Sequence, residues 1–165
     1  MILGLSIGAF TLLHVAITLV AIGSGLVVVG GMFAARRLPI TNALFLLTTV
    51  LTSLTGFLFP INGFTPGLGV GAISCVILAI ALFAYYGKGL AGPWRWIYVV
   101  TAVAALYLDV FVLVVQSFVK VAALAALAPT QADPPFIITQ ALILAIFVLT
   151  GIIAAISFRP IAAIA

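Results

Sequence analysis

The sequence predicts an all-α integral membrane protein, a bundle of five transmembrane helices with its N-terminus outside the cell and its C-terminus inside. Three observations predict this fold. Of the 165 residues, 67% are hydrophobic and only 5% are charged, whereas about a quarter of a soluble domain is charged. The few charges are separated by long uncharged segments, and prolines stand near the expected helix starts. Such a chain cannot cover a surface with polar groups, so its predicted surroundings are the lipid bilayer.

Charged residues and turn residues divide the chain into segments of the roughly 20 residues that cross a bilayer. No charged residue precedes Arg36. The first apolar run is therefore too long for a signal peptide and is interpreted as a retained helix. The uncharged run 38–87 is long enough for two helices, and FPINGFTPG (59–67) divides it with residues typical of a tight turn. The predicted helices are roughly 5–33, 40–59, 67–86, 94–118 and 136–158.

Proline supports four of these helix starts, because the first-turn N–H groups of a helix have no intrahelical partner to lose. The four are Pro39, Pro66, Pro93 and Pro134. Thr65 and Asp133 each precede one of them, and both are predicted to cap the following helix.

The longest connection, 119–135, is predicted to be a loop on the outer side. Its first half is apolar with helical spacing and could continue the fourth helix. A straight helix from Trp94 to Ala128 would be about 50 Å long, and the bilayer core is only about 30 Å thick. A bend is therefore expected near Lys120. The length of this loop is also the one argument for a partner protein bound there.

The basic residues predict the orientation. With five crossings, one side of the membrane receives Arg36, Arg37, Lys88, Arg95 and Arg159. The other side receives Lys120 and Asp133. An excess of lysine and arginine marks the cytoplasmic side of bacterial membrane proteins. The N-terminus is therefore predicted to face out and the C-terminus to face the cytoplasm.

The segment ALYLDVFVLVVQ (105–116) places an acidic residue, Asp109, near the middle of the fourth helix. The chain has only two acidic residues. An acidic side chain at the bilayer centre costs about 2.5–3.5 kcal/mol on insertion scales. Asp109 is therefore expected to face the bundle interior and to need a partner or a proton.

The first helix carries Thr11, His14 and Thr18 on one face. His14 is the only histidine, and with the N-terminus outside it lies in the outer half of the membrane, close in depth to Asp109. The hypothesis is a buried, titratable Asp109–His14 pair that a proton or small ligand reaches from outside. The candidate site residues are Asp109, His14, Gln116, Gln140 and Thr18. The alternative is that these polar groups only associate helices, a role worth about 0.6 kcal/mol each.

Small and hydroxylated residues predict close helix packing. The second helix has Thr48, Thr52 and Thr55 on one face, and threonine in membrane helices usually bonds its own backbone carbonyls. The glycines of the first helix and the Gly151–Ala155 pair have the small-residue spacing of helix interfaces. Packing is therefore the predicted role of these residues.

Several functions are excluded by composition. A metal site needs clustered histidine, cysteine or carboxylate ligands, and this chain has one histidine, one cysteine and two distant acidic residues. No cofactor is predicted, since a haem held by two histidines cannot form within one chain. The six basic residues form no run that would bind nucleic acid. There is no credible catalytic constellation, so an enzyme is not expected.

The segment LYLDVFVLVVQSFVKV (106–121), followed by LAPTQADPPF (127–136), resembles small polytopic bacterial inner-membrane proteins that carry no assigned function. The resemblance covers the third to fifth helices and implies location in a bacterial inner membrane, without implying an activity. Two functions are therefore open. One is binding or transport through the Asp109/His14 region. The other is a structural or accessory subunit that packs against a larger membrane complex or against copies of itself.

Overall fold

The computed structural model describes residues 1–60 and 66–159, and the regular elements within these ranges are helices. They are α1 (Ile7–Phe33), α2 (Pro39–Gly56), α3 (Pro66–Leu82), α4 (Trp94–Lys120), α5 (Ala122–Leu127) and α6 (Pro134–Ser157). A π-helical turn, Phe83–Gly87, continues α3. Within the described residues, five helical segments are long and apolar enough to cross a membrane, and they include every helix except α5. The prediction of an all-helical bundle with five helices long and apolar enough to span a membrane is confirmed.

Part of the predicted turn at 59–67 lies outside the described residues, because these exclude 61–65. The predicted cap Thr65 lies in that excluded range. On the described side of the turn, α2 ends at Gly56, a little before the predicted position.

The end of α1 reverses the chain within a few residues. Arg36 N–H donates to the carbonyl oxygen of Gly31 at 2.9 Å, and Ala35 adopts the left-handed conformation with φ +53°. This is the hydrogen-bond pattern that closes many helix C-termini, with alanine where glycine is usual. The Leu38 side chain lies against Gly31, where an added Cβ would be 2.7 Å from Leu38 Cδ1. The turn brings α2 back against α1 and leaves the two arginines at one end of the bundle.

The helical path breaks directly after Lys120, where the length argument predicts a bend. Val121 has extended backbone angles, φ −90° and ψ 113°, and the six-residue α5 follows it. The break limits α4 to 27 residues, about 40 Å of helix.

Asp133 occupies the N-cap position of α6, but the prediction that its carboxylate caps the helix is wrong. Asp133 Oδ2 instead accepts hydrogen bonds from the backbone N–H and the hydroxyl of Thr130, at 2.7 and 2.9 Å. Pro134 and Pro135 fill the first two helical positions and have no N–H to donate. The next N–H, of Phe136, donates to the Asp133 backbone carbonyl. The carboxylate therefore stabilises the loop turn before the helix.

The arginines gather at one end of the bundle. Arg37 Nη2 donates to the Gly89 carbonyl oxygen at 3.4 Å. Arg95 Nη1 donates to the carbonyl oxygens of Ala155, at 3.1 Å, and Phe158. The α1–α2 connection, the α3–α4 connection and the end of α6 therefore lie together, and we call this the cationic end.

Helix α4 is the central element. It contacts α1, α2, α3 and α6. Of the residues in its most apolar 18-residue segment, 39% are buried, whereas the corresponding share for α6 is 11%. The fully buried side chains around it include Phe45, Leu46, Leu78, Tyr98, Val99 and Leu106. A polar residue on the inner face of α4 is therefore enclosed by protein, and this is where Asp109 lies.

Three helices meet at Gly25 of α1. A Cβ added there would lie 2.7 Å from Leu106 Cδ1 of α4 and 2.8 Å from Phe45 Cε2 of α2. Phe45 is 1% exposed and Leu106 is 0% exposed. Only a residue without a side chain fits this position with α1, α2 and α4 so close.

Candidate functional site

Asp109 lies at mid-helix, about 17 Å along α4 from Lys120. The residue is 5% exposed, and its Oδ2 atom has no hydrogen-bond partner among the described residues. Thr49 of α2, which is fully buried, lies near the carboxyl group. Thr49 Oγ1 donates its proton to the Phe45 carbonyl oxygen at 2.8 Å.

His14 lies nearer the end of the bundle opposite the arginines. Its Nδ1 atom is 2.8 Å from Thr55 Oγ1 of α2, and its ring packs edge-on against Phe59 with centroids 5.3 Å apart. Within the described ranges, no hydrogen bond or ion pair joins His14 to Asp109. The direct pair expected from sequence is absent, because each residue faces a different threonine of α2.

Helix α2 links the two groups. Thr18 Oγ1 of α1 donates to the His14 carbonyl oxygen at 2.9 Å and lies 3.3 Å from Thr52 Oγ1. We call Thr49, Thr52 and Thr55 the hydroxyl row. From the end near Lys120 inward, Thr55 contacts His14, Thr52 contacts Thr18, and Thr49 lies near Asp109. Thr49 and Thr55 bond their own backbone carbonyls, as predicted for the threonines of this helix. Thr52 and Thr55 in addition contact Thr18 and His14 of α1.

The two glutamines lie apart from the hydroxyl row. Gln140 of α6 donates through Nε2 to the Phe111 carbonyl oxygen of α4 at 3.2 Å. Its Oε1 atom is buried without a partner in the described structure. Gln116 is exposed. Of the five candidate residues, His14 and Thr18 share one cluster, and Asp109 lies next to it on the other side of α2. Gln140 belongs to the α4–α6 contact. Gln116 belongs to neither group.

An apolar layer separates Asp109 from the cationic end. It consists of Phe45, Leu46, Val99, Ala102 and Leu106, each at most 1% exposed. The polar side chains of the interior are therefore distributed unevenly. His14, Thr18 and Thr49 lie on the Lys120 side of the layer. The buried Ser24 hydroxyl of α1, next to Gly25, bonds its own backbone, and the buried Asn42 and Tyr98 lie beyond the layer.

A second polar contact, beyond the apolar layer, was not anticipated from sequence. The Tyr98 hydroxyl of α4 donates to Asn42 Oδ1 of α2, and both residues are 1% exposed. Asn42 Nδ2 is buried and has no acceptor among the described residues. The signal in the sequence was the amide side chain of Asn42 inside an apolar segment, PITNALFLL (39–47). Burying an amide costs free energy unless it is hydrogen-bonded, so a partner could have been expected.

Comparison of the chain with protein-family models, with curated proteins and with solved structures finds no match. A function must therefore be inferred from the chain's own residues. The residues with the clearest chemistry are Asp109 and the hydroxyl row beside it.

Proposed function

We propose that this multi-pass membrane protein binds a proton at Asp109, as a small transport-type protein of a bacterial inner membrane. The observation that carries the proposal is a carboxyl group in the middle of a membrane-length helix, whose Oδ2 atom is buried without a partner among the described residues. A structural carboxylate at that depth would be expected to have a cationic or fully hydrogen-bonded partner. A proton is a ligand that needs no cavity.

The distribution of polar groups favours access from one end. The hydroxyl row and Thr18 continue from Asp109 to His14, so hydroxyl and imidazole groups that can exchange protons line the route towards Lys120. On the other side of Asp109, the apolar layer blocks the route to the cationic end. This arrangement suits a closed state, loaded from the Lys120 end, and release at the cationic end would require the layer to open.

Infrared spectroscopy tests proton binding directly, because Asp109 and Asp133 are the chain's only acidic side chains. A carboxyl C=O stretching band that changes with the pH of the medium is expected in the native protein. It should persist in Asp133→Asn and disappear in Asp109→Asn. The asparagine side chain would keep the hydrogen-bonding shape, so the loss of the band would report the missing proton site and not a collapsed bundle.

The same variants distinguish transport from helix association. In liposomes containing a pH-sensitive dye, Asp109→Asn is expected to abolish proton movement driven by a pH difference, while Asp133→Asn retains it. If Asp109→Asn behaves like the native protein in both measurements, the carboxyl group serves only packing and the proposal fails.

The same proposal places the N-terminus outside and the C-terminus in the cytoplasm. Its support is the gathering of Arg37 and Arg95 at one end, the end that the lysine and arginine bias assigns to the cytoplasm. A fluorescent reporter fused after Arg159 should therefore be active in the cytoplasm, and a phosphatase fused there should be inactive. Phosphatase activity from that fusion would reverse the orientation, and loading would then occur from the cytoplasm.

A second candidate function is that of an accessory subunit packed against another membrane helix. It is favoured by α1, whose Gly8, Gly23 and Gly30 meet no atom of the described residues within 4 Å of an added Cβ. These glycines are not used by the packing of the described residues, and such small residues let a second helix approach closely. Gly23→Leu should then remove a co-purifying partner or a second copy. A monodisperse native protein without a partner would count against this candidate.

A further inference from the structure

A small cavity lies at the cationic end, between α1, α2, α4 and the segment after α6. Its volume is about 10 Å³, enough for about one water-sized group. Its polar lining comes from Arg36, Arg37, Asn42, Tyr85 and Tyr98. Every ionised side chain in this lining is positive.

Asn42 supplies an unused donor to this cavity. The Tyr98 hydroxyl donates to Asn42 Oδ1 and so fixes which end of the amide is occupied. Asn42 Nδ2 remains buried with no acceptor in the described part of the chain. A buried donor without an acceptor costs about 1–3 kcal/mol. The missing acceptor is therefore expected to come from a group outside the described protein.

The backbone of the same corner also favours an anion. Asn42 lies at the end of the first turn of α2, an 18-residue helix whose start carries no side-chain cap among the described residues. The first N–H groups of a helix lack intrahelical partners, and the N-terminus carries a partial positive charge. Helix starts of this kind bind phosphate and other anions.

The two arginines at the corner have no acidic side chain to neutralise them. Arg37 is held by the Gly89 carbonyl oxygen, and Arg36 makes no side-chain hydrogen bond within the described ranges. The chain's acidic side chains are elsewhere, Asp109 behind the apolar layer and Asp133 before α6. Guanidinium groups bind phosphate oxygens in pairs of hydrogen bonds.

We propose that this corner binds a phosphate group, with one oxygen in the cavity as the acceptor for Asn42 Nδ2 and the remaining oxygens at the mouth beside Arg36 and Arg37. The cavity admits one oxygen atom, and the arginines at its mouth serve the others. The phosphate belongs either to an anionic lipid headgroup, since the cationic end of a membrane bundle lies at headgroup depth, or to a soluble phosphate. This site is separate from Asp109 and does not depend on the proton-binding proposal.

Native mass spectrometry of the full chain in neutral detergent tests the site. With equal amounts of phosphatidylglycerol and phosphatidylcholine, the native protein is expected to retain phosphatidylglycerol preferentially. Arg36→Gln should reduce that preference about tenfold, which corresponds to about 1.4 kcal/mol. Lys88→Gln is the matched control. It removes one positive charge at the same end, from a side chain that lies over the Phe83 and Trp94 rings outside the cavity.

Asn42→Asp is the second variant, because it keeps an oxygen for the Tyr98 hydroxyl and replaces the donor by a negative charge. It should lower phosphatidylglycerol retention at least as much as Arg36→Gln. Displacement of the lipid by inorganic phosphate would identify a soluble phosphate as the ligand, and no displacement would identify the lipid headgroup. The proposal is overturned by equal losses in Arg36→Gln and Lys88→Gln, by unchanged retention in Asn42→Asp, or by a native protein without preference, whose cavity would hold water alone.

Discussion

Gly25→Ala is expected to destabilise the bundle by about 1–3 kcal/mol, the cost of forcing an extra methyl group into a packed core. The new Cβ would lie 2.7 Å from Leu106 Cδ1 and 2.8 Å from Phe45 Cε2. Both neighbours are fully buried, so neither can turn away without displacing others. Unfolding of the purified protein by a denaturing detergent measures the change.

Gly23→Ala is the matched control, two residues away on the same helix. An added Cβ there meets no atom of the described residues within 4 Å. Both substitutions gain the same helix propensity, about 1 kcal/mol in favour of alanine. The difference between the two variants therefore isolates the contact of α1 with α2 and α4. Equal stability of the two would mean that these helices are not as close as the structure places them.

Breaking the Asn42–Tyr98 hydrogen bond from either side is the second large expected effect. Tyr98→Phe leaves Asn42 Oδ1 without its donor, and Asn42→Leu leaves the Tyr98 hydroxyl without its acceptor. Each change strands a buried polar group and should cost about 1–3 kcal/mol. The measurement belongs in neutral detergent without anionic lipid, so that occupancy of the cavity does not contribute.

The double variant Asn42→Leu/Tyr98→Phe distinguishes this hydrogen bond from general packing. It removes both polar groups, so its loss of stability should be clearly smaller than the sum of the two single losses. Tyr86→Phe is the control, because Tyr86 is 57% exposed and should be insensitive to the change. Additive effects of the two single changes would indicate that the side chains do not interact.

One helix end was predicted correctly from helix length, and one helix cap was predicted wrongly from the local sequence. The bend after Lys120 follows from length alone, because a bilayer limits how far one helix can continue. The carboxylate of Asp133 was misassigned, because the cap rule assumes N–H groups that Pro134 and Pro135 lack. That error lay in applying the rule, since both prolines are visible in the sequence.

The sequence predicted which polar residues lie in the interior better than it predicted which side chains they contact. Asp109 and His14 are conspicuous because carboxyl and imidazole side chains are rare in apolar membrane helices. In the structure Asp109 is buried and His14 is partly buried. Their depth along the helices was deduced from the charge pattern. Their rotation about those helices was not, and it is rotation that turns His14 to Thr55 and Asp109 to Thr49.

The sequence by itself determined that the chain forms five long helices apolar enough to cross a membrane, and roughly where each begins and ends, because charged and turn residues are costly within such segments. Only the tertiary structure decided which helix faces meet. It placed α4 at the centre, set Gly25 against Leu106, joined Asn42 to Tyr98 and closed the arginine-lined cavity. In lipid every apolar face is acceptable outside, so hydrophobicity does not select the inward face. Close packing and buried hydrogen bonds between distant segments select it.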